Sequence, residues 1–77
     1  MLSEKEKKFF EEMRKENAPL EFCYNQIYRL RFGEGFPIMV IDVESFNDLI
    51  EKIQRCLKEN KKAEDIWPVI QDPEIIY

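Results

Sequence analysis

Between Leu20 and Phe32 the apolar residues keep to even positions. Leu20, Phe22, Tyr24, Tyr28, Leu30 and Phe32 share that phase, and only Gln26 interrupts it. Period two is the spacing of a half-buried strand. The phase also bears on topology. A two-residue turn at Asn25-Gln26 would pair Tyr24 with Ile27 and move the apolar set to odd positions, setting Arg29 and Arg31 beside Leu20 and Phe22. The phase does not change, so the pattern predicts one long strand over 20–32, bent near Asn25. Gly33-Glu34-Gly35 then reads as a three-residue hairpin loop. A return strand over 36–43 puts Phe36, Ile38 and Val40 on the face of Tyr28, Leu30 and Phe32. Met39, Ile41 and Val43 fall on the other face, opposite Ile27, Arg29 and Arg31.

Helical spacing flanks this hairpin. Ser3-x-x-Glu6 is a capping box, and it opens a predicted helix over 3–17 with a narrow stripe of Phe9, Phe10 and Met13. Asn17-Ala18-Pro19 ends that helix, because the residue before a proline avoids the helical region. A second helix is predicted over 45–59. Ser45 caps it, with Asp48 completing an imitation of the capping box. Phe46, Leu49, Ile50, Ile53, Cys56 and Leu57 recur at spacings of three and four, with Glu51 and Arg55 as an i,i+4 pair on the solvent side. Beyond it Ala63, Ile66, Trp67 and Ile70 keep helical spacing, but Pro68 confines any helix to a turn.

The expected fold is α+β, in the order helix, strand, strand, helix. An antiparallel β-hairpin is covered by helices on one face, and the C-terminal tail adds a strand or a short helix. Residues 1–62 form the compact α+β domain, and residues 63–77 a tail packed on it or on a partner. A two-stranded sheet is marginal alone. Its second face, with Ile27, Met39, Ile41 and Val43, is half apolar, so a second copy is expected to cover it in a homodimer or higher oligomer.

Length and composition narrow the function classes. The 77 residues, 44% hydrophobic and 36% charged, suit one small globular domain. The two cysteines, Cys23 and Cys56, make neither a disulfide scaffold nor a four-ligand zinc site. The sequence has no histidine, which excludes Ser-His, Cys-His and His-metal chemistry. No apolar run approaches the roughly 20 residues that span a bilayer. The opening Met1-Leu2-Ser3-Glu4 lacks the pattern of a signal peptide, so a cytoplasmic setting is expected.

Charge is distributed unevenly. The net charge of −4 disfavours nucleic acid and anionic membranes. Residues 1–62 hold all 12 bases and 12 of the 16 acids and sum to zero. The deficit lies in the tail, with Glu64, Asp65, Asp72 and Glu74 and no base.

These features point to a non-catalytic accessory or regulatory protein, without a cofactor, that acts by binding another protein. Chains of this size and kind include phage- and mobile-element-type inhibitors, an analogy of class alone. The residues expected to meet the partner are Trp67, Ile75, Ile76 and Tyr77 of the tail and Met39 and Ile41 of the second sheet face, since large aromatic and apolar side chains anchor interfaces. An alternative is a small-ligand binder in which Arg29 and Arg31 grip a nucleotide or another anion, with Cys23 beside them. A third is a metal-dependent enzyme using Asp42, Glu44 and Asp48, against the plainer reading that Glu44 and Asp48 serve a helix N-terminus. Gly33-x-Gly35 joins two predicted strands and is followed by no Walker lysine, so it is not a phosphate loop.

Overall fold

A computed structural model describes residues 2–68 of the chain. They form four helices: α1 (Glu4–Lys15), α2 (Leu20–Phe32), α3 (Phe46–Glu59) and the single turn α4 (Ala63–Ile66). Among the described residues there is no strand and no sheet. The expected α+β fold with its antiparallel hairpin is therefore corrected to an all-helical one. The two predicted flanking helices are present, with Ser3 and Ser45 as their N-caps.

The central segment carries two periods at once, and the helical one prevails. Leu20, Cys23, Tyr24, Ile27, Tyr28 and Arg31 recur at three and four, and of these Cys23, Ile27 and Tyr28 are fully buried. Cys23 and Ile27 hold odd positions that the strand reading left on a mixed face. Pro19 stands at the N-cap, where its missing N–H costs nothing. Gly33 closes the helix at φ 84, its N–H donating to the Arg29 carbonyl. It is thus a left-handed C-terminal stop and not a hairpin loop. A helix satisfies its backbone locally, whereas an isolated hairpin exposes two edges. The expected return strand over 36–43 also contains Pro37, which has no N–H to give a ladder.

Residues 33–45 instead form a pinned loop. Phe36 and Ile41 are buried, and the Phe36 ring meets the Tyr28 ring edge-on at 5.5 Å. The Asn25 side-chain oxygen accepts the Phe36 N–H at 2.9 Å. Between those two anchors the Pro37 carbonyl accepts from the N–H groups of Val40 and Ile41, which folds 37–41 into a tight turn.

α2 is the hub, packing on α1 to one side and α3 to the other, and α4 lies on α3. The core is Met13, Cys23, Ile27, Tyr28, Phe36, Ile41, Leu49, Ile53, Cys56, Leu57 and Ala63. Three polar ties cross it. Ser3 and Glu6 make the predicted capping box, which turns the Glu6 carboxylate back over the start of α1. There Arg31 of α2 donates to it, at 3.0 Å from Nε, and from Nη1 to the Leu57 carbonyl of α3 at 2.7 Å. That carbonyl belongs to the last turn of α3, which lacks helical donors. The Tyr28 hydroxyl accepts the Ala63 N–H at 3.0 Å, and Tyr24 accepts from Gln54 at 3.0 Å.

Candidate functional site

Exposed apolar side chains occur along α2, at Leu20, Phe22 and Leu30, and where the loop meets the start of α3, and the most exposed are at the second place. Met39, at the tip of the 37–41 turn, is 94% exposed, Phe46 is 69% exposed and Ile38 is 49% exposed. Ile38, Val43, Glu44, Ser45, Phe46 and Leu49 enclose a shallow dish of about 370 Å³, the lower end of the range for small binding sites.

Each position has a local cause. Phe46 is the first residue of α3, so its side chain leans back beyond the helix towards the loop and off the buried stripe of Leu49, Ile53, Cys56 and Leu57. Ser45 Oγ accepts the Asp48 N–H at 3.1 Å, and Asp48 Oδ2 accepts the Glu44 N–H at 3.0 Å. The Ser45 half of the expected box is thus in place, while the return bond falls one residue earlier, on the Glu44 N–H, and holds the loop against the helix. On the other side, buried Phe36 and Ile41 leave Ile38 and Met39 facing outwards. The apolar tip stands on an anchored turn.

The residues singled out in the sequence are spread over the molecule. Met39 belongs to this surface, while Ile41, expected beside it, is one of the core anchors beneath it. Trp67 is half-buried on α3, with Lys52 Nζ 5.5 Å and the Arg55 guanidinium 5.4 Å from its ring centre. Ile75, Ile76 and Tyr77 lie outside the described residues. Arg29 and Arg31 were expected on one strand face. On a helix, positions two apart diverge: Arg29 is exposed and Arg31 turns inwards to Glu6 and Leu57. Cys23 is buried near the opposite end of α2. The structure does not bring these three together.

The carboxylates resolve in the same way. Asp48 is held by Lys52 Nζ at 2.8 Å and by the Glu44 N–H; the lysine first, then that N–H, keeps its carboxyl below the ordinary range. Among the described residues no three acidic or cysteine side chains cluster as a metal site would require. Burial pushes the Cys56 thiol up to about 11 and raises that of Cys23, so neither is a ready nucleophile. Arg55 pairs with Glu59 at 2.7 Å and not with Glu51, the partner expected.

Their periodicity alone places Phe46 and Ile38 in the core, and the structure exposes both. The available signal was position: Phe46 directly follows the capping Ser45, and an apolar residue there lies at the margin of its stripe.

Comparison with protein-family models, curated proteins and solved structures finds no match to this chain. No helix among the described residues is long and apolar enough to cross a membrane.

Proposed function

We propose that this chain acts by binding another protein through the surface formed by Ile38, Met39, Val43 and Phe46. The observation that supports this reading is the exposure of Met39, on a turn anchored by Phe36, Ile41 and Asn25, and of Phe46, at the capped start of α3. Exposed apolar side chains on a fixed support bind with little ordering cost, and methionine adapts to irregular partner surfaces. The dish accommodates one or two large side chains, as an anchor pocket does. Glu44 and Ser45 are the polar members of its lining: the Ser45 hydroxyl is taken up by the cap of α3, while the Glu44 carboxylate stands at the exposed rim.

The test is photo-crosslinking in the source cells. A benzophenone amino acid is placed at Met39, with a control at exposed Glu11 on α1. The expected result is a discrete adduct at position 39, absent at position 11 and lost when Phe46→Ser is added. Equal labelling at both positions, or an adduct indifferent to Phe46→Ser, would overturn the reading.

A further inference from the structure

Resting on that reading of the dish, we infer that its occupant is a cationic amphipathic helix. Such a helix presents one large apolar side chain to Phe46, Ile38 and Val43 and carries Lys or Arg one turn away.

Charge decides the sign of the partner. Glu44 lines the dish, and exposed Asp42, two residues before it, lines a separate hollow with Lys52 and Trp67. Neither has an ion-pair partner among the described residues, whereas nearby Asp48 is neutralised by Lys52. An apolar floor rimmed by the Glu44 carboxylate, in a stretch where Lys52 is the one base near Asp42, Glu44 and Asp48 among the described residues, favours an apolar anchor flanked by bases, since complementary charge steers encounter and rejects like-charged partners. The same charges weigh against two other occupants. Residues 69–77 of this chain carry Asp72 and Glu74 and no base, so they would bring acid to acid. A second copy, docked dish to dish by a two-fold axis, would set Glu44 near its own counterpart.

Backbone geometry decides the form of the partner. Strand addition needs an open sheet edge, and the described residues contain no strand. The dish is compact, with a single aromatic ring, whereas polyproline segments dock in aromatic-lined grooves. A helix places side chains at i and i+4 about 6 Å apart. That spacing lets one turn seat an anchor in the dish and the next set a base against Glu44.

The experiment uses the full chain and fluorescent model peptides about five helical turns long. One peptide is amphipathic with leucine and lysine. A second has the same composition scrambled to remove the apolar face. A third has every lysine replaced by glutamate. Anisotropy is expected to show micromolar binding of the first, about tenfold weaker binding of the scrambled peptide and none of the acidic one. Phe46→Ser is expected to weaken the first peptide at least tenfold. Glu44→Lys is expected to weaken it several-fold at low salt and to improve binding of the acidic peptide. Both sites are exposed, and far-UV circular dichroism confirms that the variants are folded.

The outcomes separate the two readings. Sensitivity to Phe46→Ser without sensitivity to Glu44→Lys keeps the binding face and overturns the cationic partner. Insensitivity to Phe46→Ser overturns both. Equal affinity for the amphipathic and scrambled peptides reduces the interaction to bulk charge and overturns the helix. Sedimentation showing a dimer of this chain that Phe46→Ser dissolves assigns the face to a second copy instead.

Discussion

Glu6 does two jobs with one carboxylate. It accepts the Ser3 N–H at 2.9 Å to complete the cap of α1, and it receives Arg31 from α2. The pair is largely shielded, with side-chain exposures of 17% for Arg31 and 8% for Glu6, so it is not the near-neutral pair of an open surface. Removing one partner leaves the other charge in poor solvent. Glu6→Gln is expected to cost about 2–4 kcal/mol in urea unfolding at neutral pH, because Arg31 keeps the Leu57 carbonyl but loses its counter-charge. The Arg31 guanidinium, ahead of the opposing effect of burial, holds the Glu6 carboxyl below the usual glutamate range. A lowered folded pKa means that the stabilisation is present above the ordinary value of about 4.3 and is lost as pH falls through the lowered one. The gap between the wild type and Glu6→Gln should therefore close in acid. A constant gap across that window would show that Glu6 is protonated or unpaired at neutral pH.

The capping box was legible in the sequence because Ser3 and Glu6 lie within one turn. Its ion pair was not, because Arg31 lies 25 positions away. The strand reading placed that arginine beside Arg29 on an outward face. Nothing local marks one arginine of the two as the buried one. The distinction depends on which side of α2 faces α1 and α3.

At the scale of elements, α2 is the informative error. Its even-numbered apolar residues fit a strand, and its three-and-four spacing fits a helix. Pro19 and Gly33 bracket it with helix start and stop signals that outweigh the alternation. Gly33 is the position where conformation alone decides. Its φ is 84, and an added Cβ would meet nothing within 4 Å, so a substitution is charged only for left-handed backbone. Gly33→Ala is expected to cost about 1 kcal/mol and Gly33→Asn less, since asparagine visits that region more readily. Thermal unfolding of the two variants checks the order. A neutral Gly33→Ala would mean that the end of α2 refolds around the alanine.

The loop between α2 and α3 was only half legible. Its apolar residues were visible, but alternation assigned them to two sheet faces. The structure divides them differently: Phe36 and Ile41 go inwards, while Ile38 and Met39 go outwards. Pro37 and the Asn25 bond to the Phe36 N–H set that division. The proposed binding surface depends on it, so the part of the candidate site legible in the sequence is Met39, with Phe46 and Ile38 assigned to the core.

At the scale of the whole molecule, α2 lies between α1 and α3, and the two thiols report on that packing. Cys23 and Cys56 are both fully buried and free, and burial holds the Cys56 thiol up at about 11. Buried groups of this kind react through opening of the structure. A disulfide reagent at neutral pH should modify both at one slow rate that follows global unfolding in urea. Fast labelling of Cys23 alone would show that α1 opens from α2 independently, since Cys23 lies against the loop after α1, where its thiol approaches the Ala18 carbonyl at 3.7 Å.

The sequence by itself determined the two flanking helices, their serine caps, the stop at Asn17-Ala18-Pro19 and the exclusion of histidine-based chemistry. All of these rest on residues close together in the chain or on composition. Tertiary structure decided the state of 20–43, the inward turn of Arg31, and the outward turn of Met39 and Phe46. A segment whose local pattern suits two conformations takes the one whose backbone bonds and buried faces can all be satisfied together. Here that is the helix, with α1 and α3 against it and Phe36 folded back onto Tyr28.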